Sequence, residues 1–233
     1  MHGGLHHAPV IGMWTRGGDG VASSVLLQLD GSAMGHVGYS TFGSIWLNYS
    51  AVAAGATGDD TLRFALELAW DRKTPTRLPE STWLEVRPAF PPAASASQPS
   101  ATDDDAWRLH VTKLGSLIDT ADVVPNGGSA LHGVDPDGPV VWSRGGRTQQ
   151  RRAHDAPPSS ASLRIVSLDA GLVAPGNNTS PWGWDVYNAA PPDPLDGAAF
   201  NLHSNLYATN YILCYPWRPA DEVGRFRFRF DVR

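Results

Sequence analysis

Four alternate positions near the C-terminus, Asn201, His203, Asn205 and Tyr207, carry two amides, an imidazole and a phenol. These groups donate and accept hydrogen bonds in both senses, as hydroxyl-rich ligands require. The intervening residues Phe200, Leu202, Ser204, Leu206 and Ala208 are apolar or small. Successive strand side chains point to opposite faces, so this spacing predicts one core-facing and one polar face from Phe200 to Tyr215. Trp182, Trp184, Tyr187 and Trp217 flank that face, and large aromatic surfaces stack on the apolar sides of sugar rings. Carbohydrate is therefore the partner that these residues imply, with Asn201, His203, Asn205, Tyr207 and Trp217 as the candidate binding set. The competing assignments are an interface histidine at 203 and aromatics that pack a loop onto the sheet.

No catalytic constellation stands out. The chain has no Gly-rich phosphate loop, no His-Glu-x-x-His and no Gly-x-Ser-x-Gly, so no cofactor, metal or catalytic residue is assigned. Two opposed carboxylates would serve glycoside hydrolysis, but the spacing of the acids selects no pair. Glu80 has two readings. It is a structural ion pair with Arg77 or Arg87, or a base of the aldose-epimerase kind if His110, His132 or His203 faces it. His2, His6 and His7 lie in a Gly-rich terminus and lack the fixed geometry of a metal site.

The bulk properties narrow the field. A net charge of −5 over 233 residues and no basic, aromatic-interleaved stripe give no reason to expect nucleic acid. Arg144 to Arg152 reads as a solvated loop. The lone Cys214 excludes an internal disulfide, and its place on the apolar face marks a packed thiol. No run approaches the ~20 apolar residues of a membrane span. The N-terminus lacks the basic start and apolar run of a signal peptide. The triplets beginning at Asn48, Asn177 and Asn178 would be glycosylation acceptors only in an exported chain, and nothing assigns a compartment.

The elements that must position the candidates are strands. Leu62, Phe64, Leu66, Leu68 and Trp70 alternate with Arg63, Ala65, Glu67, Ala69 and Asp71. Period two fits all five apolar positions, although Leu62, Ala65, Leu66 and Ala69 also fit a helix. Further strands are expected at 24–30, within 36–50, at 82–88, 107–111, 140–142 and 163–168, and at the Arg-Phe alternation of 225–230. Residues 1–22 read as irregular, and Val173 to Gly176 as a turn. Residues 90–105 and 143–160 read as flexible insertions. The whole predicts an all-β fold: one large antiparallel β-sandwich, a mutarotase-like supersandwich with long loops and few or no helices, over residues 23–233.

Several blocks together resemble a known family. They are Arg77-Leu78-Pro79-Glu80-Ser81-Thr82-Trp83, Lys113-Leu114-Gly115 with Asp122 to Gly127, Leu131-His132-Gly133-Val134, Ser167-Leu168-Asp169-Ala170 with Leu172 to Gly176, Phe200 to Asn210, and Phe226-Arg227-Phe228. In this order, from about residue 60 onward, they resemble the "domain of unknown function 5054" proteins. Those are glycoside-hydrolase-like and similar to the retaining α-mannosidases of glycoside hydrolase family 38. Tyr207-Ala208 departs from the Trp-Gly that the family carries there, and the two insertions are also departures. The resemblance implies a C-terminal accessory β-sandwich that packs on, and completes the cleft of, an N-terminal catalytic domain absent from this chain. Catalysis would then belong to the glycosidase parent. An independent carbohydrate-binding module, a mutarotase-like epimerase and a purely structural domain are the alternatives.

Overall fold

The computed structural model describes residues 7–18, 21–34, 41–52, 61–76, 80–89, 106–122, 132–144, 151–152, 162–176, 193–204 and 222–233. Two antiparallel sheets carry the fold, as expected for an all-β sandwich. The larger contains β1 (Val10–Gly18), β2 (Val21–Leu29), β3 (Ser44–Ala51), β4 (Leu62–Lys73), β6 (Trp107–Lys113), β7 (Ser116–Asp119), β9 (Pro139–Arg144), β10 (Arg151–Arg152), β11 (Ser162–Ser167) and β14 (Glu222–Val232). Its order is β1-β2-β3-β4-β14-β11-β9-β6-β7-β10. The smaller sheet, in the order β5-β13-β12-β8, is built from β5 (Ser81–Val86), β8 (His132–Gly133), β12 (Leu172–Pro175) and β13 (Ala198–Ser204). Helical structure among the described residues is limited to short 3₁₀ turns, such as Pro194–Asp196 before β13.

The core lies between the sheets. Leu66, Leu68 and Trp70 of β4, Leu109 and Val111 of β6, Trp142 of β9, Ile165 of β11 and Phe228 of β14 face Val173 and Phe200 of the smaller sheet. Phe200 and Phe228 meet edge to face at 5.3 Å across the gap, a favoured aromatic geometry. The Trp142 indole N–H donates to the Pro194 carbonyl at 2.9 Å. That bond ties the larger sheet to the turn that launches β13.

The period-two reading of Leu62 to Trp70 holds. Leu66, Leu68 and Trp70 are buried, and the helical alternative is excluded. The central placement of β4, between β3 and β14, buries this stripe completely enough to override its partial helical pattern.

Other expectations need correction. Val10–Gly18 is not irregular but pairs with β2 along its length, because a neighbouring strand's hydrogen bonds compensate for glycine's low strand preference. The segment 143–160 is not wholly an insertion. Ser143 and Arg144 complete β9, and Arg151–Arg152 pairs with β7. Leu172–Pro175 is a strand rather than a turn, and Gly176, the residue after it, has φ 72°. Arg87 bonds Glu85, not Glu80. The insertion at 90–105 lies outside the described residues.

Two irregularities prepare the site. In β4, Asp71 and Arg72 together oppose Val223 of β14, since Trp70 pairs with Gly224 and Lys73 with Glu222. Arg72 adopts φ 44°, a left-handed conformation uncommon for a side-chain-bearing residue. This two-against-one bulge reverses the alternation. Lys73 would point outward by parity, but it turns inward and is 3% exposed. The second irregularity is in β13, where Asn201 pairs with Trp83 and His203 with Thr82, leaving Leu202 as the extra residue.

Candidate functional site at one end of the sandwich

Lys73 and Glu222 come from the larger sheet, while His203 on β13 and Glu80, just before β5, come from the smaller. The two bulges bring these four side chains together. Lys73 Nζ forms a salt bridge with Glu80 Oε1 and stands 5.9 Å from the centre of the Phe42 ring. Phe42 in turn packs edge-on against Trp70. His203 sits between two acids, with Nδ1 3.9 Å from Glu80 Oε1 and Nε2 3.4 Å from Glu222 Oε2. Its Nδ1 is buried and accepts or donates no hydrogen bond among the described residues. Burial falls off outward: Lys73 is inside, Glu80 and His203 are part-buried, and Glu222 is the most open of the four.

The residues differ in what they can do. Lys73 holds Glu80, so Glu80 serves first as a counter-ion. Glu222 is the acid free to share its second oxygen with a ligand or solvent. Burial holds the His203 imidazole below its ordinary pKa, and Lys73 adds to that. Glu80 and Glu222 oppose the shift without reversing it. A neutral imidazole offers one donor and one acceptor.

Among the candidates from sequence, His203 is in the cluster. Asn201 is beside it, its amide directed at the His203 carbonyl at 3.5 Å. Asn205, Tyr207 and Trp217 lie outside the described residues, as do Trp182, Trp184, Tyr187, Cys214 and Arg77. Of the three histidines considered as partners for Glu80, His203 is the one that faces it. His110 is buried beside Asp119 and Arg108 in the larger sheet, and His132 is buried on β8 near Lys113. Sequence reasoning missed Lys73 and Glu222. Their only signal was adjacency to recognised strands, and continuing the parity of 62–71 would place Lys73 on the outer face.

His110 is also held below its ordinary pKa, chiefly by burial and slightly by Arg108, against Asp119 and Asp122. Both imidazoles therefore bind protons less readily folded than unfolded. Below the ordinary histidine value of about 6.5, the unfolded chain takes up protons that the folded chain refuses. This contribution to stability is intact above that pH and declines as pH falls toward the folded-state values. Urea midpoints should drop between about pH 7.5 and about pH 5.5, and His203→Gln should make the drop shallower. An identical drop in the variant would show that His203 does not contribute.

No protein-family model, curated protein or solved structure matches the chain.

Proposed function

We propose that this chain is an accessory β-sandwich domain of a glycoside-hydrolase-like, carbohydrate-active protein. It would pack on a catalytic domain and lend the Glu80–His203–Glu222 end of the sandwich to the substrate cleft. The observation that carries the reading is the half-open imidazole between two carboxylates, fixed by strands of both sheets. The acids accept hydrogen bonds and the neutral imidazole does both, the pairing that sugar hydroxyls require. A site fixed by two sheets positions a ligand at little ordering cost. Asn201 belongs to the same end, and Asn205, Tyr207 and Trp217 extend the polar set along the chain.

A second reading, a mutarotase-like epimerase, is favoured by one observation: a histidine does face Glu80. In that case His203 would be the acid. Glu222 would be the base, because Lys73 already holds Glu80.

One set of variants tests both. The purified chain should bind oligosaccharides on a glycan array, and His203→Ala and Glu222→Gln should lose that binding while remaining folded by circular dichroism. Binding unchanged in both variants, or none by the folded chain, would overturn the accessory-site reading. Accelerated equilibration of sugar anomers in polarimetry, lost in the same variants, would establish the epimerase reading instead.

A further inference from the structure

The outer face of the larger sheet, away from the core, carries an arrangement of its own. Leu27, Leu47, Leu68 and Phe226 point into the sandwich, so their neighbours in sequence point out. Register then places two rows across five strands. One row runs Trp14 (β1), Leu26 (β2), Asn48 (β3), Glu67 (β4), Arg227 (β14). The other runs Gly12, Gln28, Trp46, Ala69, Arg225. Each row spans four strand spacings, about 19 Å.

Two indoles dominate one end. Trp14 is 50% exposed, and its ring lies over Gly12, where any β-carbon would collide with it. Trp46 meets it at 5.7 Å between ring centres, tilted by 38°. The Trp46 N–H is directed to Ser44 Oγ at 3.0 Å, and Ser44 Oγ donates to Asp71 at 2.7 Å, which fixes the ring. Gly12 and Ala69 leave the surface between the larger side chains low and flat.

The polar groups beside the indoles are already charge-balanced. Arg225 pairs with Glu67 at 2.8 Å, and Arg227 with Asp169 through two guanidinium nitrogens. Asn48 is exposed, and Gln28 is partly so. An anionic ligand would meet no excess of positive charge here. A partner protein would find only a narrow apolar strip, two indoles and the half-buried Leu26, beside small and paired polar residues. A neutral, flat, hydroxyl-rich chain fits both halves of the face: rings on the indoles, and hydroxyls on the amides and paired ions.

We infer that this outer face is a second carbohydrate-binding surface, a platform on which Trp14 and Trp46 stack sugar rings of a neutral oligosaccharide or polysaccharide. It shares the carbohydrate reading of the end site but none of its residues, so either can fail alone.

The test is native gel electrophoresis of the full chain through gels containing α-mannan, xylan, hydroxyethylcellulose or glycogen. At least one polysaccharide should retard the unsubstituted chain. Trp14→Ala and Trp46→Ala should weaken that retardation about tenfold, the scale of losing a central aromatic contact. Trp14→Phe should retain most of it, and Leu114→Ala, at a 96% exposed position in the turn between β6 and β7, should leave it unchanged. Because Trp14 is half exposed, its loss should leave the circular dichroism spectrum intact. Equal retardation of Trp14→Ala and the unsubstituted chain would overturn the platform. If His203→Ala alone abolished retardation, the end site would stand and the platform would fall. Retardation by none of the four, with the chain folded, would also overturn it and leave the indoles to a protein surface.

Discussion

Lys73→Ala should cost about 3–5 kcal/mol of folding stability, the usual result of removing one member of a buried ion pair. Lys73 is 3% exposed, and Glu80, its salt-bridge partner, 13%. Alanine would leave the Glu80 carboxylate with little water and without this cation. It would also remove the ammonium that stands 5.9 Å from the centre of the Phe42 ring. Removing both members avoids leaving the carboxylate without this cation, so the double variant Lys73→Met with Glu80→Leu should recover most of the loss. Urea denaturation measures both. A loss below about 1 kcal/mol in Lys73→Ala would mean that the pair behaves as a solvated surface bridge. The double variant should nonetheless disturb His203, since one of its two acids is gone. Stability and ligand binding would then separate.

Phe200→Ala should be comparably damaging, about 3–5 kcal/mol, because a wholly buried ring leaves a cavity that its surroundings fill only in part. Phe200 is 0% exposed and spans the gap between the sheets to reach Phe228. Its strand neighbours Ala199 and Ala198 are too small to fill the space. Phe200→Leu should cost less, about 1.5 kcal/mol or below, if the leucine repacks against Phe228. Thermal and urea unfolding of the two variants checks this. Equal losses would show that ring shape, rather than volume, holds the sheets together. Phe200 lies three residues before His203, so its loss should also loosen the end site.

The strands were legible wherever burial alternated cleanly. Phe64 to Trp70, Phe226 to Phe230, and the inward Leu109 and Val111 all follow period two, and the structure buries or half-buries them accordingly, while Leu62 at the start of β4 is exposed. The same parity put His203 opposite the apolar Phe200 and Leu202, which is how it was singled out. What stayed hidden depends on contacts far apart in sequence. The sequence offers Glu80 the nearby Arg77 and Arg87; Arg77 lies outside the described residues, Arg87 bonds Glu85, and Lys73, which pairs with Glu80, arrives from the other sheet through a bulge that no residue type announces. Arg72 is not a glycine or an asparagine, so its left-handed backbone left no mark. β1 was hidden for the opposite reason: Gly12, Gly17 and Gly18 suggest a loop, yet Gly12 is there because the Trp14 indole lies across it. The exposed indoles of the outer face were invisible until register placed Trp14 beside Trp46.

The bulge at Arg72 also acts as a phase slip in the code that strands use. Before it, even-numbered residues of β4 belong to the interior. After it, the assignment is exchanged, and one residue, Lys73, is written in the new phase before the strand ends. The sheet and the charged cluster are therefore encoded in different frames of the same segment. A substitution at Arg72 that keeps the extra residue preserves both frames, whereas losing a single residue there would restore one frame throughout. The hydrophobic stripe would survive such a loss intact, and the lysine, two residues after Trp70 in the regular strand, would still face the interior opposite Glu222; straightening the strand without losing a residue would instead carry it to the opposite surface, away from Glu80 and His203.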